Sequence, residues 1–445
     1  MAQPPHTKSL PDWSSGLPEE LLESIGKHLA SGHDAASFRS TCSPWRDVVP
    51  FKSFAPLLLL PFSPESENVT FYSMSEEMVF SLLLPHVRGK VPCGSSCGWL
   101  ALMNEAASVM LLNPFTGARV VLPPPDEHVA AASLTHVSKV DGRWVLHPAN
   151  DYENTLASHA VKLDEMRKVF FHEIVLSSPP DVDGRECVAM AVLASSTEVA
   201  FCRVGVDSTW TLLDTYLECS VDSIVHFQER FLAVDCIGEI SICGSITAGA
   251  IPTVMLMPSL SPPDELCHRS YLESDNELYL VGAILSSTCH RTRRFTYHTM
   301  IYKCNLLDRT PVWSRVEDVG DVTLFISKEF SDNFSGTSVS KYRRNNIYFS
   351  EPLYEDQNDW KHRLEIVDIA TGTSEVLPFL EKMQRSEALC WIRPNPWKRG
   401  GLSKCNVEEP QQEPAPSMLG LPEPEPEPEP AGEVVKADVV QINST

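Results

Sequence analysis

The sequence contains no uninterrupted apolar run of about 18 residues, which is the length that a membrane-spanning helix needs. Positive charge is also scarce, because 36 lysines and arginines stand against 59 aspartates and glutamates among 445 residues, a formal net charge of −23. Nucleic-acid backbones and anionic membrane surfaces attract proteins through clustered lysine and arginine. We therefore expect neither nucleic acid nor a membrane among the partners of this protein.

The N-terminus lacks the cationic and apolar segments of a secretory signal, so we expect an intracellular protein, cytoplasmic, nuclear or both. Thirteen cysteines, an odd number, are scattered along the chain and predict reduced thiols rather than a disulfide framework. Metal knuckles are missing as well, because neither Cys93/Cys97 nor Cys236/Cys243 has a matching second pair. We expect no bound metal and no cofactor.

One segment, from Gly94 through Ser96 to Gly98, matches the G-x-S-x-G nucleophile motif of hydrolases. That motif requires a strand before it and a helix after it. Here Pro92 interrupts the approach, and the residues after Gly98 favour a strand. No aspartate and histidine follow in a supporting context, so a tight turn is the preferred interpretation and no catalytic residue is predicted.

The composition divides the chain into five segments. Residues 1–12 are polar and proline-rich and are expected to be disordered. Residues 13–50 predict a compact helical unit, residues 51–90 a connector with a first strand region, and residues 91–393 a long β-region. Residues 394–445 are rich in Pro, Glu and Gln and predict a solvated, disordered acidic tail.

The helical unit carries clear signals for the start and end of helices. Pro18 suits the first helical position, acidic residues follow it where the helix dipole favours carboxylates, and Gly32 can cap the end. Asp34 and Ser43-Pro44 predict two further short helices. Three short helices bury little surface alone, so such a unit usually completes its apolar face against a partner.

Two segments of the β-region share one hairpin design. Asn113-Pro-Phe-Thr-Gly117 and Asp368-Ile-Ala-Thr-Gly372 each follow an apolar strand and are themselves followed by Leu-Pro. The Asn or Asp side chain can accept backbone N–H bonds in the turn, and glycine supplies positive φ. Related units recur at spacings close to multiples of about 42–46 residues. They start near residues 97, 187, 229, 275 and 344.

A repeat of about 40–50 residues with four strands has the size of a propeller blade. The expected fold is mainly β, with the three-helix unit followed by a β-propeller of about six or seven blades and then the disordered tail. A large β-sandwich or two stacked barrels are the alternatives. We prefer the propeller because blade-sized spacing and turn chemistry agree.

The helical unit resembles the F-box, on the basis of residues that occur in order along it. They are Leu17-Pro-Glu-Glu-Leu-Leu22, Ile25, Leu29, Asp34, Phe38-Arg39, Cys42 and Trp45-Arg46. Members of that family dock on a Skp-type adaptor of cullin-based ubiquitin ligases. The resemblance implies an adaptor-binding set formed by Leu17, Pro18, Leu21, Leu22 and Ile25. It also implies an F-box core that contains Leu29, Phe38, Cys42 and Trp45.

The β-region is similar to that of a large plant F-box family. The C-terminal part of that family, a domain of unknown function of the KIB type, is taken to be a β-propeller. The similarity rests on strand and turn positions. They are Gly94-Ser-Ser-Cys-Gly-Trp-Leu100, Leu112-Asn-Pro-Phe-Thr-Gly117, Phe231-Leu-Ala-Val-Asp235 and Trp313-Ser-Arg-Val-Glu-Asp-Val-Gly-Asp321.

The resemblance implies a non-catalytic substrate-recognition subunit of a cullin-type (SCF) ubiquitin-protein ligase. The F-box then joins the Skp-type adaptor and through it a cullin, while the propeller holds an unknown target protein near the transferred ubiquitin. Two alternatives stay open: a non-degradative F-box scaffold and, less favoured because no nucleophile or acid/base set is evident, a propeller hydrolase. Segments 286–297 and 352–361 are expected to lengthen loops that contact the target.

Overall fold

The computed structural model describes most of the chain between residues 17 and 394, all of it within the first of two compact units, Met1–Gly400 and Gly401–Thr445. The predicted segment 1–12 and, apart from Pro394, the acidic tail lie outside the described residues. The described residues are 17–29, 34, 38–39, 41–48, 56–61, 63–132, 137–147, 158–180, 186–244, 246, 250–257, 260, 266–274, 277–289, 294–308, 311–327, 332–335, 342–356, 359–377 and 390–394.

The N-terminal helical unit contains helix α1 (Glu19–Lys27) and helix α2 (Ser43–Val48). The N–H groups of Leu21 and Leu22 donate to the Pro18 carbonyl (3.1 and 3.2 Å), so α1 begins directly after this proline. Helix α1 ends before the predicted cap at Gly32, and the helix predicted after Asp34 lies mostly outside the described residues. No described helix has the length and apolar character needed to cross a membrane.

The remaining described chain is mainly β. Short helices interrupt it: α3 (Glu127–Ala132), α4 (Met166–Val169) and 3-10 helices at Pro85–Val87 and Leu163–Glu165. The first strands are β1 (Leu57–Leu59), β2 (Asn68–Ser73), β3 (Met78–Leu83), β4 (Lys90–Ser96), β5 (Trp99–Asn104), β6 (Val109–Leu112), β7 (Arg119–Val121), β8 (Val137–Val140), β9 (Arg143–Leu146), β10 (His159–Ala160), β11 (Phe171–Leu176), β12 (Val188–Leu193), β13 (Glu198–Arg203) and β14 (Thr211–Asp214). The later strands are β15 (Val221–Phe227), β16 (Arg230–Asp235), β17 (Ile240–Gly244), β18 (Thr253–Met257), β19 (Cys267–Ser274), β20 (Glu277–Cys289), β21 (Arg294–Cys304), β22 (Ser314–Arg315), β23 (Val322–Ser327), β24 (Asp332–Ser335), β25 (Asn346–Asp356), β26 (Asp359–Asp368), β27 (Ser374–Leu377) and β28 (Cys390–Ile392).

Within the described residues these strands form seven sheets. Four of them are four-stranded antiparallel meanders in chain order: β4–β7 (sheet 2), β11–β14 (sheet 3), β15–β18 (sheet 4) and β19–β22 (sheet 5). Sheet 1 has the order β28-β1-β2-β3, sheet 6 the order β24-β23-β25-β26-β27, and β8–β10 form a smaller sheet. Repeated four-stranded meanders are consistent with the predicted β-propeller.

Sheet 1 joins the two ends of the β-region. β28 pairs with β1 so that Leu57 lies opposite Ile392 and Leu59 lies opposite Cys390. The segment 51–90 therefore supplies three strands of this sheet, which differs from the boundary predicted at residue 91. The pairing was hidden in the sequence because the partner strand comes from the other end of the β-region.

The inner strands of six sheets follow one another in a closed order. β4 lies next to β11, β11 next to β15, β15 next to β19, and β19 next to β24 of sheet 6. β23, also of sheet 6, lies next to β28 of sheet 1. β28 in turn lies next to β4, which closes the ring. A tryptophan strengthens this closure, because the Nε1–H of Trp391 in β28 donates to the Ile326 carbonyl in β23 (3.1 Å).

The strand directions distinguish two faces of the ring. Ser96 Oγ at the end of β4 accepts the N–H of Leu176 at the end of β11 (3.1 Å), and Ser95 Oγ donates to the Trp391 carbonyl in β28 (3.4 Å). These inner strands therefore end on one face. β1 begins opposite the end of β28, so the N-terminal part of the chain joins the ring on this side. We call it the closure face and the other one the distal face.

A long hairpin of sheet 5 projects from the distal face. β20 follows the inner strand β19 and pairs with β21 as far as Cys289 opposite Arg294. Arg269, near the start of β19, donates its Nη1–H to the Cys236 carbonyl (2.8 Å) in the turn after β16. β19 starts on the distal face, and β20 runs antiparallel to it. β20 therefore ends on the distal face, where the hairpin projects. The segment 286–297, predicted to lengthen a loop, is mostly hairpin.

A second long hairpin, in sheet 6, points the other way. β25 and β26 pair as far as Asp356 opposite Asp359. β25 runs parallel to β23. Near the end of β23, the Ile326 carbonyl accepts the Nε1–H of Trp391 close to the closure face. The tip of this hairpin therefore lies on the closure face. The segment 352–361 is also hairpin rather than loop, and it does not share a face with segment 286–297.

The small sheet β8–β10 packs outside the ring, because β4 and β11 contact each other directly. Trp144 in β9 is 3% exposed and packs edge-on against Phe170, with ring centroids 4.8 Å apart. Its Nε1–H donates to the Ala106 carbonyl (3.1 Å). This insertion thus adds its apolar residues to the core between sheets 2 and 3.

Both hairpins predicted from turn chemistry are present. Asn113 Oδ1 accepts the N–H of Phe115 (3.0 Å), and Gly117 has a φ of 69°. Asp368 Oδ1 accepts the N–H of Thr371 (2.8 Å), and the glycine that closes this turn has a φ of 66°. The bond from Thr371 holds the pKa of Asp368 below its ordinary value. Each of the two turns is thus formed by one short polar acceptor and one glycine, as predicted.

Candidate interaction surfaces

Helix α1 presents two large apolar side chains to solvent. Leu21 is 51% exposed and Ile25 is 42% exposed. Residues four apart lie on the same face of a helix, one turn from each other. Pro18, at the start of the helix, is exposed as well. Exposed apolar residues that lie side by side are a common feature of surfaces that contact another protein. We call Pro18, Leu21 and Ile25 the α1 surface.

The other side of α1 packs inside the helical unit. Leu22 is 3% exposed and Phe38 is 7% exposed, and together they form the buried centre of the unit. The ring of Phe38 lies 4.5 Å, centroid to centroid, from that of Trp45. The partly buried residues around this centre are Leu17, Leu29, Trp45 and Val48. Cys42 is half-buried.

The adaptor-binding set expected from the F-box resemblance is therefore divided between surface and core. Leu22 follows Leu21 directly, so its side chain points about 100° away around the helix and meets the centre of the unit instead of solvent. Leu22, which the resemblance places in the adaptor-binding set, is buried in the helical unit, whereas Leu21 is exposed. Leu17 also packs against this centre. Adaptor binding by the α1 surface stays a prediction.

The G-x-S-x-G segment is a hairpin of sheet 2. β4 ends at Ser96, Cys97 (φ 55°) and Gly98 (φ 80°) form the turn, and β5 follows at once. The Ser96 hydroxyl is engaged with sheet 3, because it accepts the Leu176 N–H (3.1 Å). The segment lacks the helix that a nucleophile elbow requires after its serine. This geometry supports the tight-turn interpretation.

We expect Ser96 to be unreactive toward activated phosphonates, because its oxygen is hydrogen-bonded to a backbone N–H and the chain continues from it as a hairpin. Purified protein treated with a fluorophosphonate probe should retain no more label than the heat-denatured protein. Ser96→Ala should leave this background unchanged. Stoichiometric labelling that disappears in Ser96→Ala would return the hydrolase hypothesis to first place.

The four cysteines considered as metal ligands divide into two buried and two exposed thiols. Cys93 is buried and donates its S–H to the Ala101 carbonyl (3.6 Å). Cys243 is buried between sheets 3 and 4, where burial raises the pKa of its thiol to about 12. Cys97 and Cys236 are exposed. In the part of the chain that the structure describes, no group of three or more His, Cys, Asp or Glu could hold a metal ion.

The distal face is a second candidate surface. On this face, the connection from the outer strand of one sheet to the inner strand of the next lies beside the turns of neighbouring sheets. The connection before β15 carries Tyr216, which is 62% exposed, and the turn after β16 carries Ile237, which is 51% exposed. The β20–β21 hairpin of the adjacent sheet lies on the same face. Loops held on a rigid sheet scaffold are common sites of recognition.

Comparison with known proteins assigns the β-region to a family. The KIB1-4 beta-propeller model matches residues 71–376. F-box protein SKIP23 of Arabidopsis thaliana is 25% identical over 419 residues, which cover 87% of this chain and 95% of that protein. A second F-box protein of Arabidopsis thaliana is 27% identical over 325 residues, which cover 71% of this chain and 79% of that protein.

Similarity to solved structures is weaker. The structure of dihydro-heme d1 dehydrogenase NirN in complex with DHE aligns with 76% of this chain and 75% of its own, at 11% identity and a TM-score of 0.32. The sequence comparisons confirm the resemblance to plant F-box proteins with a propeller domain. With the greater part of its length matched, this chain belongs to the KIB1-4 beta-propeller family.

Proposed function

We propose that this protein is the substrate-recognition subunit of a cullin-type (SCF) ubiquitin-protein ligase. In this role the α1 surface binds a Skp-type adaptor, which connects to a cullin, and the propeller binds a target protein. The protein itself contributes no chemistry, because holding a target close to the transferred ubiquitin already converts a slow encounter into an effectively intramolecular one. The F-box relatives and the propeller family match support this assignment.

The exposure of Leu21 and Ile25 is the observation that carries the proposal. The other side of the same helix already forms a closed apolar centre around Leu22 and Phe38. The helical unit therefore does not use the two exposed residues for its own packing. Large apolar side chains in that position are typical of interface anchors, which supply most of the binding energy at a contact.

We propose that the propeller has six blades. Six sheets contribute strands to the closed inner ring, and the direct contact of β4 with β11 leaves the small sheet β8–β10 outside it. The blade formed by sheet 1 combines N-terminal strands with the C-terminal strand β28, so both ends of the domain hold the ring closed.

We propose that the distal face binds the target. The N-terminal part of the chain joins the ring on the closure face, so a target on the distal face does not compete with that connection. The sequence that links β20 to β21, residues 290–294, reads His-Arg-Thr-Arg-Arg, a composition that suits an acidic segment of a target. The β25–β26 hairpin lies on the closure face, so our proposal does not include it in the target-binding surface.

Target capture and target abundance test these proposals together. A variant with Leu21→Asp and Ile25→Asp should still capture targets but fail to pass them on, so the captured proteins accumulate. Proximity labelling with wild-type and variant baits, with and without a proteasome inhibitor, identifies them. Replacing residues 286–297 by a short turn should remove these proteins, whereas the matched replacement of residues 352–361 should retain them.

Two other results have distinct meanings. Captured proteins that do not become more abundant in the Leu21→Asp/Ile25→Asp variant would favour the non-degradative scaffold over the ligase role. Loss of the captured proteins on replacing 352–361, with retention on replacing 286–297, would move target binding from the distal face to the closure face.

A further inference from the structure

Two cysteines of the distal face are neighbours. Cys219 lies in the connection before β15, and Cys236 follows directly after β16. β15 and β16 pair with Val221 opposite Asp235, so the two cysteines flank the same end of this strand pair. A hydrogen bond between the two side chains agrees with this placement.

The turn that carries Cys236 is fixed from two sides. Asp235 Oδ1 accepts the N–H groups of Ile237 (3.0 Å) and Glu239 (2.8 Å), which ties the ends of the turn together. From sheet 5, Arg269 donates its Nη1–H to the Cys236 carbonyl (2.8 Å). A disulfide forms without strain only where the backbone already brings two cysteines close. These contacts keep Cys236 beside Cys219 in that way.

Solvent access separates this pair from most other thiols of the described chain. Cys236 is exposed and Cys219 is half-buried. The buried cysteines are Cys93, Cys187, Cys202, Cys243, Cys304 and Cys390. Partial desolvation, the hydrogen bond with Cys236 and the nearby carboxylates raise the pKa of the Cys219 thiol. An oxidant that arrives from solvent therefore meets Cys236 first.

We propose that Cys219 and Cys236 form a reversible disulfide, a modification site on the distal face. The oxidant is a peroxide. The Cys236 sulfur attacks one oxygen of hydrogen peroxide, the O–O bond breaks, and Cys236 becomes a sulfenic acid with release of water. The Cys219 sulfur then attacks the sulfenic sulfur and gives up its proton. The S–S bond forms, the S–O bond breaks, and the hydroxyl leaves with that proton as a second water. Two thiols lose two electrons and two protons, and one peroxide becomes two waters.

The disulfide ties two parts of the distal face together. It joins the connection between sheets 3 and 4 to the turn between β16 and β17. Tyr216 and Ile237, both exposed, lie within three residues of the cysteines, so oxidation fixes the backbone that carries them. A small-molecule dithiol reverses the reaction by thiol–disulfide exchange. The chemistry stands on the cysteine pair alone and does not depend on the proposed ligase role.

Peptide mapping of the full-length protein tests the proposal. The protein is reduced, freed of reductant, treated with hydrogen peroxide, alkylated and digested. We expect a cross-linked peptide pair that joins Cys219 to Cys236, with the mass of the two peptides less two hydrogens, and its loss after dithiothreitol. In Cys219→Ser, Cys236 should instead be trapped as a sulfenic acid by dimedone. Cys97→Ser removes a different exposed thiol and should leave the cross-link unchanged.

Two results would contradict the disulfide proposal. If peroxide leaves both Cys219 and Cys236 open to alkylation in the wild-type protein, the proposal is wrong. It is also wrong if Cys236 proceeds to sulfonic acid without any cross-linked peptide. Both outcomes are measured on the wild-type chain, so they do not depend on whether a variant folds.

Discussion

Aspartate at both Leu21 and Ile25 is expected to abolish binding of a Skp-type adaptor while the helical unit stays folded. In the free protein both side chains are largely in water, at 51% and 42% exposure, so the new charges cost little there. In the complex the same carboxylates would be buried without partners. Loss of two apolar anchors should cost about 4 kcal/mol or more. That is roughly a thousandfold in Kd, measurable by calorimetry with purified adaptor.

Leu22→Asp is the matched control one position away. Leu22 is 3% exposed and belongs to the buried centre of the unit, so a carboxylate there should unfold the unit itself. Adaptor binding should then disappear together with the helical signal in circular dichroism. The Leu21→Asp/Ile25→Asp variant must lose binding with that signal intact. Adaptor affinity within a few-fold of wild type would exclude the α1 surface as the docking site.

The contrast between Leu21 and Leu22 shows where sequence reasoning stops in a small helical unit. The start of α1 could be predicted to within one residue, because Pro18 and the acidic first turn are local signals; Pro18 lies just before the helix, at the N-cap, and not at its first position. Two adjacent leucines cannot both face the same way. Which one turns inward is decided by Phe38, which belongs to a later part of the chain. The surface residues therefore required the packing as well as the periodicity.

Turn chemistry was predictable because it is local. Asn113 and Asp368 accept N–H bonds from residues two or three positions ahead, so their turns are specified by five consecutive residues. Gly94 shows the opposite case. A side chain at that position would collide with the Ile174 carbonyl oxygen of the neighbouring inner strand. In the sequence this glycine looks like part of a hydrolase motif, and only the contact between β4 and β11 gives its structural reason.

Strand direction in sheet 6 could not be predicted either. Spacing located β25 and β26, but spacing carries no information on direction. The short strand β24 pairs antiparallel to β23 and leads the chain back, so that β25 runs parallel to β23. This single reversal turns the β25–β26 hairpin toward the closure face. It separates two segments that the sequence analysis expected to contact the target.

Trp391→Ala is expected to destabilise the β-region by about 3–5 kcal/mol, because it opens a large cavity in a closed core. Trp391 is 2% exposed and packs edge-on against Phe325, with centroids 4.9 Å apart. Its Nε1–H donates to the Ile326 carbonyl (3.1 Å), and its own carbonyl accepts the Ser95 hydroxyl (3.4 Å). One residue of β28 thus contacts sheets 6 and 2 at the point where both ends of the β-region meet.

Thermal unfolding of the full-length protein measures this effect, with an expected fall in melting temperature on the order of 5–10 °C for Trp391→Ala. Trp391→Phe keeps most of the ring packing and loses the bond to Ile326, so it should cost only about 1 kcal/mol. Val206→Ala, at a turn residue that is 64% exposed, should leave the melting temperature unchanged. If Trp391→Ala melts with the wild type, the packing of the Trp391 side chain does not hold the ring closed, and the ring must draw its stability from other contacts.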